Sequence, residues 1–241
     1  MNSPAARNTL DEVMVQELTN AFVGASKDAS VKVIVLTGTG DVFCAGEAAA
    51  FIKKGTASDF GTCVDDAKLV MRLAQIIYSL RKPVIAKVNG AAHAGGCLLA
   101  TICDLVVASK KATFGFTEVR NGMLPAVAVP FLVKKIGEGK ARELMLRGCT
   151  ISAEQAKLAG LVTTIAAPEK LDAETASLAE ELCSAVSGSS MGLLKEMLAT
   201  MDGMKFTETV DYAANMHAAV RMTEEYRKGI DGLLTNKTIE W

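Results

Sequence analysis

The stretch Pro83–Ala108, PVIAKVNGAAHAGGCLLATICDLVVA, decides the fold. Pro83 to Val88 is an apolar run of strand length, and Asn89-Gly90 ends it. Gly96 to Cys103 reads as a short apolar helix, and Leu105 to Ala108 as another buried strand. Two buried strands flank a helix entered through Gly95-Gly96, which is the grammar of a layered α/β core. Glycine at that entry lets another molecule approach the backbone, and the helix start favours negative charge there. The same strand–turn–helix is also common α/β punctuation, so it does not define a site by itself. No GxGxxG or GxxxxGK[ST] pattern marks a nucleotide loop.

Working outward, residues 9–27 carry Leu10, Val13, Met14, Leu18, Ala21 and Phe22 at helical spacing. Val31 to Thr37 predicts a strand closed by Gly38-Thr39-Gly40, and Asp65 to Leu80 a second helix. Ile52 to Val64 reads as a loop or irregular helix, and Thr113 to Phe116 as a fourth strand. Beyond Pro125 the pattern is helical. Ala126–Ile136 should stop at Gly137 and Lys140–Leu146 at Gly148. Ser152 opens a helix with Gln155 completing a capping box, and Gly160 ends it. Residues 169–186, 190–201 and 206–228 predict three more helices. The expected architecture is a spiral α/β core over residues 1–185 with a helical layer over 186–241.

The 241 residues are half hydrophobic and carry a formal charge of −1. No basic block suggests nucleic acid, and no apolar run reaches membrane-spanning length. Met1 to Arg7 resembles neither a signal nor a transit peptide, so the expected compartment is the cytoplasm. The six cysteines show no CxxC pair, which predicts reduced thiols rather than a disulfide framework or a metal site.

Glu118 is the residue that points to chemistry. Phe114 and Phe116 precede it and Met123 to Val129 follow it, so its carboxyl is expected to have a raised pKa. Pairing with Arg120, or capping a neighbouring helix, is the structural alternative. Upstream lie two glycine turns, Phe43–Ala48 and Asn89–Cys97. Two oriented backbone donors plus one acid/base group are what proton transfer beside a thioester carbonyl requires. His93 adjoins the second turn and could line the pocket, whereas His217 falls mid-helix, at a surface or interface. Neither has the Ser partner a nucleophilic triad would need.

Taken in order, VIVLTGTGDVFCAGEA, KPVIAKVNGAAHAGGCLLATICDLVVAS, ATFGFTEVRNGMLP, AKLAGLVTTI and the ending EEYRKGIDGLLTNKTIEW resemble the crotonase superfamily of enoyl-CoA hydratases and isomerases. The resemblance implies a spiral of ββα turns with a ClpP-like fold and a trimer or dimer of trimers. The ligand would be an acyl-CoA thioester, with coenzyme A entering as part of the substrate and no separate cofactor. It implies an oxyanion hole from the backbone N–H groups of Glu47 and Gly95, and Glu118 as the group that orients and deprotonates water. Leu98, Met123 and Leu124 would line the acyl pocket. Ala45, Ala48 and Lys237, the last from the C-terminal helix, would lie near the coenzyme A moiety.

Three departures from the family pattern stand out. Leu98 occupies the position of the first glutamate of two-glutamate hydratases. Glu47-Ala48 replaces the usual small residue and Asp. The chain starts later than members that carry N-terminal hairpin strands, which bears on the first sheet edge. The Glu118 segment is most similar to single-glutamate methylglutaconyl-CoA-type hydratases, and the Gly95 segment is similar to enoyl-CoA isomerases. A hydratase is the leading expectation, with an isomerase and a non-catalytic acyl-CoA-binding subunit as alternatives. The side chain of Glu47 is expected to face outward toward the coenzyme arm, the alternative being a second acid/base group.

Overall fold

The computed structural model describes all 241 residues, wound between two four-stranded sheets. The first sheet holds β1 (Ile34–Thr37), β3 (Val84–Val88), β5 (Leu105–Ser109) and β8 (Thr164–Ala166), in that order and all parallel. The second holds β2 (Val42–Cys44), β4 (Ala91–His93), β6 (Thr113–Gly115) and β7 (Thr150–Ser152). Its first three strands are parallel, and β7 pairs antiparallel. The chain crosses from one sheet to the other in the pairs β1–β2, β3–β4 and β5–β6. Helices follow each pair: α2 (Ala49–Thr56) with α3 (Phe60–Ser79), then α4 (Gly95–Ile102), then α5 (Val129–Arg147). The result is the expected spiral of ββα turns.

The run Val84–Val88 is apolar except for Lys87, which pairs with Asp172, because both faces are largely covered. Val84, Ala86 and Val88 enter the main core with α1 (Glu12–Lys27) residues Val15, Leu18 and Phe22. Ile85 turns the other way, joining Val107, Ala166 and Leu171 beneath α7 (Leu171–Ser184). Every residue of α4 is buried, so this helix is the axis of the spiral. Each such fully buried Leu, Ile or Val contributes roughly 1.5–3 kcal/mol.

Two expected helices meet at a break inside α5, where Gly137 takes φ 76°, ψ 157°. The Ser152 capping box is present at the start of α6 (Ala153–Leu158). The helix expected over 206–228 is two, α9 (Phe206–Arg221) and α10 (Glu224–Thr235). Thr223 caps the second by accepting a hydrogen bond from the Tyr226 N–H. Of the loop or irregular helix expected over Ile52 to Val64, the helical alternative holds: α2 extends to Thr56, and α3 starts at Phe60, where Asp59 accepts from the Thr62 N–H. With α8 (Gly188–Thr200), α9 and α10 form the C-terminal layer, and α8 packs on α3. No helix is long and apolar enough to cross a membrane.

Candidate active site

The two glycine turns touch. Gly46 takes φ 102°, and a Cβ there would stand 2.8 Å from the Ala94 Cβ and 3.7 Å from the Gly95 nitrogen. A Cβ on Gly96 would run into the Cys44 carbonyl. Only glycine permits this approach. The first turn is fixed by a parallel bridge between Leu10 and Glu47. In it the Leu10 N–H donates to the Gly46 carbonyl and the Ala48 N–H to the Leu10 carbonyl, each at 2.8 Å. The Glu47 N–H takes no part in that ladder. Gly95 is the first residue of α4, so its N–H has no partner within the helix.

Ala94, between β4 and α4, holds φ 49°, ψ −121°, a conformation that costs a non-glycine residue roughly 1–3 kcal/mol. Its N–H is anchored at 2.8 Å on the Gly115 carbonyl of β6. The strain sits one residue before Gly95, and nothing in the sequence signals it.

Glu118 opens a 3-10 turn, Glu118–Asn121, just after the buried Phe116. It is only 8% exposed, and its Oε2 is buried without a hydrogen-bond partner. Arg120 does not pair with it; that guanidinium turns to the Arg147 carbonyl. Burial, then the negative charge of Glu47, push the Glu118 carboxyl up to about 7, against a hydrogen bond from its own backbone N–H that lowers it.

Glu47, Ala94, Gly95, Leu98 and Glu118 share one cavity of about 500 Å³. Phe51, Ile52, Gly55 and Thr56 of α2 and Cys63, Asp66, Ala67 and Val70 of α3 form one wall. Phe116 and residues Met123 to Ala128 form the other. Of the expected acyl-pocket residues, Leu98 is buried at the cavity floor, and Leu124 is 73% exposed at its rim. Ala45 and Ala48 flank the turn without lining the cavity; the Ala45 N–H donates to the Arg7 carbonyl. Lys237 is not on the C-terminal helix, which ends at Thr235; it lies in the tail beyond and does not line this cavity. His93 also lies off the cavity, with Nε2 3.0 Å from Thr113 Oγ1. Burial and the charge of Arg7 hold its pKa down. His217 is exposed on α9, beside Arg221.

The Glu47 side chain departs from its expected outward course. Its Oε1 is 2.9 Å and its Cδ 3.4 Å from the point where a Cβ on Gly95 would stand. With Leu10 Cδ1 2.9 Å from the same point, the carboxylate lies along the Gly95 backbone and lines the cavity.

An apolar cavity with a glycine-lined helix start and a buried, unpartnered carboxyl has the make-up of an enzyme site for a partly apolar substrate. The sequence profile of the enoyl-CoA hydratase/isomerase family matches residues 1–241. A Thermus thermophilus protein named putative enoyl-CoA hydratase is 38% identical over 230 residues, covering 95% of this chain and 90% of its own. The Escherichia coli 2,3-dehydroadipyl-CoA hydratase is 30% identical over 239 residues, 99% of this chain and 91% of its own. The solved structure of an enoyl-CoA hydratase from Shewanella pealeana superposes with a TM-score of 0.92 at 27% identity, covering 99% of this chain and 89% of that one. The chain belongs to the enoyl-CoA hydratase/isomerase family of the crotonase superfamily, and it is an enzyme of that family.

Proposed function

We propose that the protein adds water across the α,β double bond of an enoyl-CoA thioester, and removes it in the reverse direction. The observation that carries this reading is Glu118, an almost wholly buried carboxyl with an idle oxygen, in the cavity reached by the Gly95 turn. In this scheme the Glu47 and Gly95 N–H groups receive the thioester oxygen as it gains enolate charge. Each such donor stabilises the transition state by roughly 3–4 kcal/mol. Glu118 moves the proton at the carbons next to the carbonyl. Leu98, Met123 and Leu124 receive the acyl chain. Ala45, Ala48 and Lys237 meet the coenzyme A moiety. Hydration of a conjugated thioester is redox-neutral, so coenzyme A enters as substrate and the scheme asks for no further cofactor. The hydratase names of the relatives at 38% and 30% identity support the direction of this choice.

The test is a panel of crotonyl-CoA, methylglutaconyl-CoA and a 3-enoyl-CoA, followed by absorbance. Loss of the conjugated thioester band with the first or second supports hydration. Conversion of the 3-enoyl substrate alone identifies an isomerase, and binding with no turnover identifies a non-catalytic acyl-CoA subunit. Glu118→Gln should lower turnover by roughly 100-fold or more; undiminished turnover removes Glu118 from the mechanism. Lys237→Ala should raise KM and leave kcat unchanged if the lysine meets only the coenzyme A phosphates.

A further inference from the structure

The chemistry above asks only for the backbone N–H of Glu47. Its carboxylate nevertheless lies half-buried along Gly95 and lines the cavity, and no cation or donor side chain reaches it. Glu118 stands in the same cavity, more than nine-tenths buried, with its own orphaned oxygen. A buried carboxyl without a partner is costly to the fold, and the negative charge of Glu47 adds repulsion at Glu118. No side chain in the cavity pairs with either carboxyl, so both are free to meet one ligand that bridges them. A water molecule beside a bound acyl chain meets that description.

We infer that Glu47 is a second catalytic carboxylate: it takes the proton from the attacking water, while Glu118 gives a proton to the α-carbon. This rests on the hydratase reading. The water oxygen forms its bond to the β-carbon as one O–H bond breaks, and that proton passes to the Glu47 carboxylate. The π pair of the double bond shifts toward the carbonyl, making an enolate held by the two backbone donors. The enolate then takes the Glu118 proton at the α-carbon and the carbonyl re-forms. One proton returns from Glu47 to Glu118, directly or through solvent, before the next turnover. No oxidant, reductant or co-reactant besides water is needed. The roles follow the environments: Glu118 is the more deeply buried, and burial favours its neutral, proton-carrying form, as suits the acid of a pair.

Two readouts on the purified full chain separate this role from a structural one. The first is hydration of crotonyl-CoA. The second is exchange of the α-hydrogens of butyryl-CoA with D2O, followed by mass spectrometry. Exchange needs Glu118 and the backbone donors but no attacking water. Glu47→Gln keeps the backbone and nearly the same volume. It should lower hydration by roughly 100-fold and lower exchange far less, whereas Glu118→Gln should lose both. Glu47→Asp, which keeps a carboxylate, should recover part of the hydration. Hydration by Glu47→Gln within a few-fold of wild type overturns the inference, as does an equal fall in both readouts. Wild-type protein that exchanges but never hydrates overturns the water role and leaves the enolate reading standing; wild type that does neither overturns both.

Discussion

Glu118 carries a consequence for stability as well as for rate. Its carboxyl is raised from 4.5 in a solvated chain to about 7 in the fold, chiefly by burial. Between those values the folded state holds a proton that the unfolded state releases. Stability from this group is therefore greatest below pH 4.5, and it is lost as pH rises through 7. Glu118→Gln removes the ionisation. It should raise stability at pH 8 by about 1–3 kcal/mol and do much less at pH 5, as urea unfolding at the two pH values would show. An equal effect at both would mean that the carboxyl is not buried in its charged form. The kinetic sign depends on which carboxyl is the acid. If Glu118 must enter protonated, kcat/KM for hydration falls as pH rises through about 7. If Glu118 alone served as base, kcat/KM would instead rise through that value. A profile that rises there argues against the division of labour between Glu47 and Glu118.

At the scale of elements, the apolar runs were legible and the short pairings were not. Val84–Val88 and Leu105–Ser109 announce themselves because they are buried on both faces. Val42–Cys44, Ala91–His93, Thr150–Ser152 and Thr164–Ala166 are three residues each, too short for a periodic signal, and exist because a neighbouring strand of the spiral supplies partners. The Thr223 cap was visible in principle, as Thr followed by acidic residues in the next turn, but the unbroken apolar spacing masked it. In the site, the glycine turns and Glu118 were readable, and the direction of the Glu47 side chain was not, since it depends on Leu10 from a distant segment. Ala94 is hidden in the same way. Ala94→Gly removes a strained backbone and should raise the melting temperature, with a gain of about 1 kcal/mol; a marked loss would show that the angle is not strained. Lys195 had no sequence signal either. It is buried on α8, 2.6 Å from Asp104 Oδ2, and also donates to the Ile77 and Lys82 carbonyls at 3.1 Å. Lys195→Ala removes this ion pair and leaves Asp104 with the Val84 N–H as its partner, and should cost about 1–3 kcal/mol, read by urea unfolding.

For the whole molecule, the large apolar residues left exposed bear on assembly. They occur in the spiral, where Phe60 is 85% and Leu158 88% exposed, and they gather in the short C-terminal layer, where Phe206 is 83% exposed, Leu233 73% and Leu234 80%. Single exposed apolar side chains are ordinary, but three large ones across two contacting helices suit a surface covered by another subunit. The expected trimer or dimer of trimers would cover it, with residues 186–241 as the assembling part and 1–185 as the part that holds the site. Light scattering after size exclusion should then report three or six times the 25.4 kDa chain mass. Replacing Leu233 and Leu234 together by Asp should shift the mass toward one chain, because a buried interface tolerates unpaired carboxylates poorly. The Glu47–Glu118 cavity is built from residues 47–128 alone, so a folded monomer of this variant should still bind acyl-CoA. A wild-type mass of one chain, or an assembly unmoved by the double substitution, would refute the assignment of this face to subunit contact.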